Sequence, residues 1–167
     1  LETVVDGLDL PWAVEILPNG DWLVSERGGR LLRIVPETGE RTEIKGIPRV
    51  FARGQGGLLD IAVHPEYEEN GWVYLSFSDP GDGQKSMTAI VRGRIEGEEW
   101  TDEETVFEAP REFYLPGGIH FGTRLVFDGD YLFFAIGDRR YKNDAQDLSK
   151  PNGKIHRIHH DGSIPED

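Results

Sequence analysis

Short apolar runs alternate with turn signals along the whole chain, a pattern typical of all-β proteins. In the first unit, residues 12–17, 21–25, 30–35 and 41–45 are predicted strands, separated by turns rich in Gly, Asn and Pro. Because each turn is short, neighbouring strands run antiparallel and form a meander.

The same unit recurs twice more along the chain. The predicted strands of these two units are residues 58–63, 72–78, 87–95 and 105–107, then 123–127, 131–136 and 154–159. Units of this size and order match the blades of a β-propeller. We therefore predict an all-β fold with three four-stranded blades, over about residues 11–46, 57–108 and 122–160.

Three blades do not close a ring, since propellers have about four to eight blades. The third predicted unit has only three strands, while residues 2–6 form a strand candidate ahead of the first unit. We expect this strand to complete the last blade of a second copy, so that a two-fold homodimer gives a six-bladed ring. The alternative is an open fragment of a longer protein, which would leave strand edges unpaired.

The amino-acid composition excludes several kinds of partner and site. The 167 residues include 31 acidic and 18 basic side chains, for a net charge of −13, which argues against nucleic acid as a partner. There is no Cys, which excludes disulfides and thiolate metal sites. No apolar run approaches the ~20 residues that span a bilayer, so we expect no membrane partner. The first residues do not read as a signal segment, which leaves the compartment open.

Several motifs occur in a fixed order along the chain. They are LPWA at 10–13, GQGGLLDIAVHP at 54–65, GWVYLS at 71–76, HFGTRLVF at 120–127, IGD at 136–138, AQDL at 145–148, NGKI at 152–155 and DGSIP at 161–165. This series resembles the N-terminal half of the soluble quinoprotein sugar dehydrogenases, the glucose/sorbosone dehydrogenase family. The resemblance implies a six-bladed propeller that uses pyrroloquinoline quinone (PQQ) and calcium to oxidise an aldose at its anomeric carbon. It also implies a periplasmic or secreted protein.

The resemblance implies roles for three residues. His120 matches the general base that takes a proton from the anomeric hydroxyl, Gln55 matches a residue facing the sugar, and Asp138 matches the carboxylate that orients the imidazole. An imidazole titrates near neutral pH, which suits this work. The alternative interpretation makes His120 a vestigial pocket residue, Gln55 a polar turn residue and Asp138 a carboxylate that bonds its own loop.

The family's cofactor-binding segments have no match in this sequence. PQQ carries three carboxylates, and such groups are recognised by paired cations. We therefore expect this acidic chain to hold neither PQQ nor calcium by itself. Two functions stay open: a self-assembling half-propeller scaffold without activity, or a PQQ- and calcium-dependent aldose sugar dehydrogenase with a small sugar in its central funnel.

Three histidines near the last predicted strand suggest a metal site. A strand rises about 3.3 Å per residue, which separates His156 from His160 by roughly 13 Å. His159 and His160 point to opposite faces. We therefore predict no metal site within one chain. A zinc site across a dimer axis and a solvated or interface strand end both stay open. The acidic runs at 96–99 and 102–104 are predicted to be solvated turns.

Overall fold

The structure, a computed structural model, describes residues 3–166 and forms three antiparallel sheets. The first sheet contains β1 (Pro11–Ile16), β2 (Trp22–Glu26), β3 (Arg30–Val35) and β4 (Glu40–Ile44). The second contains β5 (Leu58–Val63), β6 (Val73–Pro80), β7 (Lys85–Glu96) and β8 (Glu99–Phe107), and the short β9 (Leu115–Pro116) pairs with β7. The third contains β10 (Val126–Asp128), β11 (Tyr131–Ile136) and β12 (Lys154–His159). The single α-helical turn among these residues is α1 (Tyr67–Asn70), and 3-10 turns lie at Arg111–Phe113 and Lys142–Gln146.

This arrangement confirms the predicted all-β class. Three consecutive meanders, in the order β1-β2-β3-β4, β5-β6-β7-β8 and β10-β11-β12, are what a run of propeller blades requires. The third sheet has three strands within the described residues, as predicted.

Apolar side chains fill the spaces between neighbouring sheets. One cluster joins Leu23 and Leu31 of the first sheet to Leu58 and Leu75 of the second. Another cluster lies between the second and third sheets and includes Tyr74, Met87, Leu132 and Phe134. Burial of each such side chain contributes about 1.5–3 kcal/mol, so the sheets are held mainly by these two layers.

The fourth strand of the second sheet is longer than predicted. The prediction that residues 102–104 form a solvated turn was wrong, because they lie inside β8. Arg92 and Arg94 on the neighbouring β7 form ion pairs of 2.6 Å with Glu104 and Asp102, respectively. Cross-strand pairs of opposite charge stabilise a polar strand whose sequence lacks an apolar run.

The third sheet begins later than the predicted residue 123. β10 starts at Val126, because the chain before it bonds to side chains instead of a neighbouring strand. The hydroxyl of Thr88 donates to the carbonyl of Phe121 at 2.6 Å. The backbone N–H of Leu125 donates to the carboxylate of Asp60 at 2.7 Å.

The two outer sheets each expose an apolar face. On β1, Trp12, Val14 and Ile16 alternate along one face and are 43%, 55% and 62% exposed. On the third sheet, Val126 and Ile155 are 50% and 79% exposed. Residues 3–10 form no strand, and Glu2 of the predicted strand 2–6 lies outside the described residues. No helix in residues 3–166 is long and apolar enough to cross a membrane.

Candidate functional site

The imidazole of His120 lies against the carboxylate of Asp138. Nδ1 of His120 is 2.6 Å from Oδ1 of Asp138, and the two side chains are 45% and 27% exposed. His120 lies in the loop before β10, and Asp138 lies two residues after the end of β11. The pairing of Val126 with Phe133 brings these two segments together.

The environment of Asp138 keeps its carboxylate ionised. Its hydrogen bond with His120 is the largest cause that lowers the pKa of Asp138, and the bond from the backbone N–H of Arg140 adds to it. An ionised carboxylate only accepts hydrogen bonds, so Nδ1 of a neutral His120 carries the proton. Nε2 is then left with its lone pair, and it makes no hydrogen bond with any residue in the range 3–166. The pair therefore presents a hydrogen-bond acceptor to solvent.

Gln55 supports His120 through the backbone. Oε1 of Gln55 accepts a hydrogen bond of 2.8 Å from the backbone N–H of His120. The backbone N–H of Gln55 in turn donates to the carbonyl of Gly118 at 2.6 Å. The two segments approach so closely that a Cβ on Gly54 would lie 2.3 Å from the carbonyl oxygen of Gly118. The structure thus brings all three predicted residues together. The carbonyl oxygen of the Gln55 side chain bonds the backbone of His120.

A fourth residue of the site was not predicted. Arg139 is only 2% exposed, and its guanidinium donates to the carbonyls of Ile119 at 2.7 Å, Ser86 at 2.9 Å and Gly117 at 2.9 Å. The guanidinium also lies over the ring of Phe121, 3.8 Å from its centroid. Desolvation lowers the pKa of Arg139 to about 10, so the group stays cationic at neutral pH.

The three histidines near the end of the chain have separate partners. His156 stacks on Phe134 with a centroid distance of 4.8 Å, and its Nε2 donates to the carbonyl of Pro151. His159 packs against Tyr131. Nδ1 of His160 lies 2.9 Å from Nε2 of His64, a contact between the second and third sheets that the sequence did not indicate. Across the described part of the chain, no group of three His, Asp or Glu side chains is placed to hold a metal ion.

Comparison with protein families confirms the resemblance noted in the sequence. A family profile described as Glucose / Sorbosone dehydrogenase matches residues 8–167. The aldose sugar dehydrogenase YliI of Escherichia coli (strain K12) is 42% identical over 172 residues, which cover 100% of this chain and 46% of that protein. The quinoprotein glucose dehydrogenase B of Acinetobacter calcoaceticus is 29% identical, over 99% of this chain and 40% of that protein. The chain thus spans about half the length of these relatives.

Solved structures give the same result. The apo-form crystal structure of the soluble aldose sugar dehydrogenase from Escherichia coli has a TM-score of 0.92 and 42% identity, covering 99% of this chain and 48% of that one. The PQQ-bound form of the aldose sugar dehydrogenase from Streptomyces coelicolor has a TM-score of 0.82 and 35% identity, covering 97% of this chain and 48% of that one.

Proposed function

The chain belongs to the glucose/sorbosone dehydrogenase family, and from this membership we propose that it supplies the proton-accepting part of an aldose sugar dehydrogenase site, with His120 as the general base. The observation that carries the proposal is the 2.6 Å contact between Nδ1 of His120 and Oδ1 of Asp138. Oxidation of an aldose at its anomeric carbon removes a hydroxyl proton and a hydride. A neutral imidazole with a free ring nitrogen is suited to accept the proton.

His120 and Asp138 divide the work of proton transfer. Nε2 of His120 is the acceptor, because Nδ1 is committed to Asp138. When the proton arrives, the ring becomes an imidazolium, and the adjacent carboxylate stabilises its positive charge. Since the pKa of Asp138 lies below its usual value, this carboxylate stays ionised throughout the working range of a histidine base.

Gln55 holds the base in place and is itself exposed. Its Oε1 fixes the backbone of His120, while its side-chain NH2 makes no hydrogen bond with the described residues. We propose that this NH2 donates to a hydroxyl of the sugar. A polar group that both fixes the base and binds the substrate couples sugar binding to correct placement of the imidazole.

The described residues do not by themselves fit PQQ, whose three carboxylates need several cations. Arg140 and Lys142 are exposed beside Asp138, and the charge of Lys142 helps to lower the pKa of Asp138. Arg53 is also exposed but already bonds to Gln84. Arg139 is enclosed by carbonyls. We therefore assign no step to the cofactor on this chain and propose that its remaining ligands come from sequence equivalent to the other half of the relatives.

Complementation with a relative tests the proposal. Residues 8–167 would replace the matching segment of the Escherichia coli aldose sugar dehydrogenase, and sugar-dependent dye reduction would be measured with PQQ and calcium present. We expect the chimera to turn over aldoses and His120→Asn to lower kcat by about 10²–10⁴-fold.

His159→Asn serves as the matched control, since His159 packs on Tyr131 in the third sheet and has no contact with Asp138. This control should keep full activity. A folded chimera without turnover, or a His120→Asn chimera as active as its parent, would refute the assigned role.

We also propose a second function, a self-assembling scaffold in which two copies close one ring. The supporting observation is the pair of exposed apolar faces, one formed by Trp12, Val14 and Ile16 and the other by Val126 and Ile155. Blades of a propeller pack face to face, so the face of the first sheet is complementary in character to that of the third sheet of a second copy. In this assembly the predicted strand 2–6 would pair in trans.

The solution mass tests this assembly. Light scattering coupled to size exclusion should give twice 18.8 kDa for the parent chain. Ile16→Glu places a charge on the apolar face of the first sheet and should give a monomer of 18.8 kDa. Glu43→Gln, on the outer strand β4, is the control and should stay dimeric. A monomeric parent would refute the homodimer.

A further inference from the structure

The guanidinium of Arg139 is buried beside the site without an acidic partner. Among the described residues it forms no ion pair, and its neighbours are backbone carbonyls and an aromatic ring. Burial of a cation without an acidic partner destabilises the fold. A guanidinium in such a position can offset this cost because its fixed set of donors bonds several backbone carbonyls at once.

The contacts of this guanidinium surround His120. It donates to the carbonyls of Gly117 and Ile119, which precede His120 in the chain, and it covers the ring of Phe121, which follows. The residue that bonds the imidazole, Asp138, is the direct chain neighbour of Arg139. The side chain of Arg139 therefore contacts the loop of His120 both before and after His120. Arg139 itself belongs to the segment that carries the carboxylate of Asp138.

The same guanidinium ties the loop to the second sheet. Its third carbonyl partner belongs to Ser86 on β7, at 2.9 Å. The backbone needs such support, because His120 and Arg139 both adopt the left-handed region, with φ of 56° and 53°. Residues with a side chain rarely adopt this region unless surrounding contacts impose it.

We propose that Arg139 is a positioning residue that sets the distance and angle between the imidazole of His120 and the carboxylate of Asp138. This inference rests on the proposed function for its biological meaning, but the geometry it concerns exists in the chain itself. If Arg139 acts in this way, its loss disturbs the Nδ1–Oδ1 contact even where the sheets stay folded.

The test is a spectroscopic signature of His120 in the isolated chain. In long-range ¹H–¹⁵N spectra of the ¹⁵N-labelled chain at pH 8, the parent should show Nδ1 of His120 at the chemical shift of a protonated ring nitrogen. Free histidine prefers the other tautomer, with the proton on Nε2. In Arg139→Gln we expect the Nδ1–H population to fall by at least half.

Ile158→Val is the control for stability alone, because Ile158 is buried in the core between the second and third sheets. This variant should lose thermal stability through its core packing while keeping the His120 signature. An unchanged tautomer in folded Arg139→Gln would overturn the proposal, and so would an equal change in Ile158→Val.

If Arg139→Gln does not fold, Arg139→Lys decides the matter. Lysine keeps the charge but lacks the fork that reaches several carbonyls at once. A partial loss of the Nδ1–H population supports the proposal, and a parental spectrum overturns it. Turnover plays no part in this readout, so an inactive chimera would count against the dehydrogenase function and leave the positioning result unaffected.

Discussion

Asp60 on β5 is 3% exposed at its side chain and accepts a 2.7 Å hydrogen bond from Arg124, whose side chain is 74% exposed. The other carboxylate oxygen accepts a 2.7 Å bond from the backbone N–H of Leu125. Burial is the largest influence on this carboxyl and raises its pKa, while the bonds from Leu125 and Arg124 oppose the rise. A single buried side chain thus ties the first strand of the second sheet to the segment that leads into the third sheet.

Removal of this carboxylate should destabilise the junction between the two sheets. Asp60→Ala leaves the buried N–H of Leu125 without its acceptor, and we expect it to lower the free energy of unfolding by about 3 kcal/mol. Glu104→Ala is the matched control, because Glu104 also bonds an arginine, Arg92, but is 52% exposed. That control should cost under about 1 kcal/mol. Equal losses in urea unfolding would contradict the interpretation.

Substitution of Gln55 separates its two contacts. Gln55→Leu removes the acceptor of the His120 N–H, so the base is displaced and kcat of the chimera should fall by about tenfold to a hundredfold. Gln55→Glu retains an acceptor for that N–H but loses the NH2 proposed to bind sugar. It should therefore raise KM with a smaller change in kcat. Identical kinetic effects of the two variants would show that the backbone bond does not matter.

Gly137 lies where any side chain would displace His120. A Cβ at this position would be 2.4 Å from the carbonyl oxygen of His120. Gly137→Ala should cost about 2 kcal/mol of stability and reduce the Nδ1–H signature of His120. Gly28→Ala is the control, since a Cβ there meets nothing within 4 Å. Thermal melting measures both variants, and a neutral Gly137→Ala would show that the loop yields easily.

Acidification should weaken the fold through two half-buried histidines, His64 and His156. Desolvation is the main cause that lowers the pKa of His64. The nearby His160 and Arg92 lower this pKa further, while Glu66 raises it. Desolvation also lowers the pKa of His156. A histidine with a lowered native pKa takes up its proton more readily when unfolded. Stability is therefore complete above about pH 6.5, the value for an unfolded histidine, and falls as the pH drops towards the native values.

The slope of this loss is at most ~1.4 kcal/mol per pH unit for each proton bound only by the unfolded chain. His156→Phe keeps an aromatic ring stacked on Phe134. It also removes one of the two histidines that bind a proton more readily in the unfolded chain. Urea unfolding between pH 8 and pH 5 should show a shallower slope for this variant. Parallel curves would mean that His156 protonates equally in both states.

Local sequence patterns were sufficient to predict most strands. Residues 58–63, 131–136 and 154–159 were predicted with the bounds of β5, β11 and β12, because each is an apolar or alternating run between turn signals. The full length of β8 was missed, because its middle is acidic and is held by arginines of β7. Pairing between strands, which a single segment does not display, decides such cases.

The motifs selected three candidate site residues but not the side chain that supports them. Gln55, His120 and Asp138 were selected through their motifs, and the fold brings them into contact. Arg139 follows Asp138 in a polar loop, where a charged residue is normally solvated. Its burial depends on carbonyls from separate segments, including that of Ser86 on β7. These segments are far apart in the sequence, so the burial of Arg139 is seen only in the folded chain.

The order of the strands has a consequence for how the molecule is made. Strands pair with their neighbours in the chain, and the one exception among the described residues is the short pairing of β9 with β7. During translation, each sheet can therefore complete its hydrogen bonds soon after its own segment leaves the ribosome, before the next sheet has been synthesised. The first apolar layer can form when the second sheet emerges. The hydrogen bond from the backbone N–H of Leu125 to the carboxylate of Asp60 can form only when the segment before the third sheet emerges. The strand order thus permits assembly from the amino end onward, one sheet at a time.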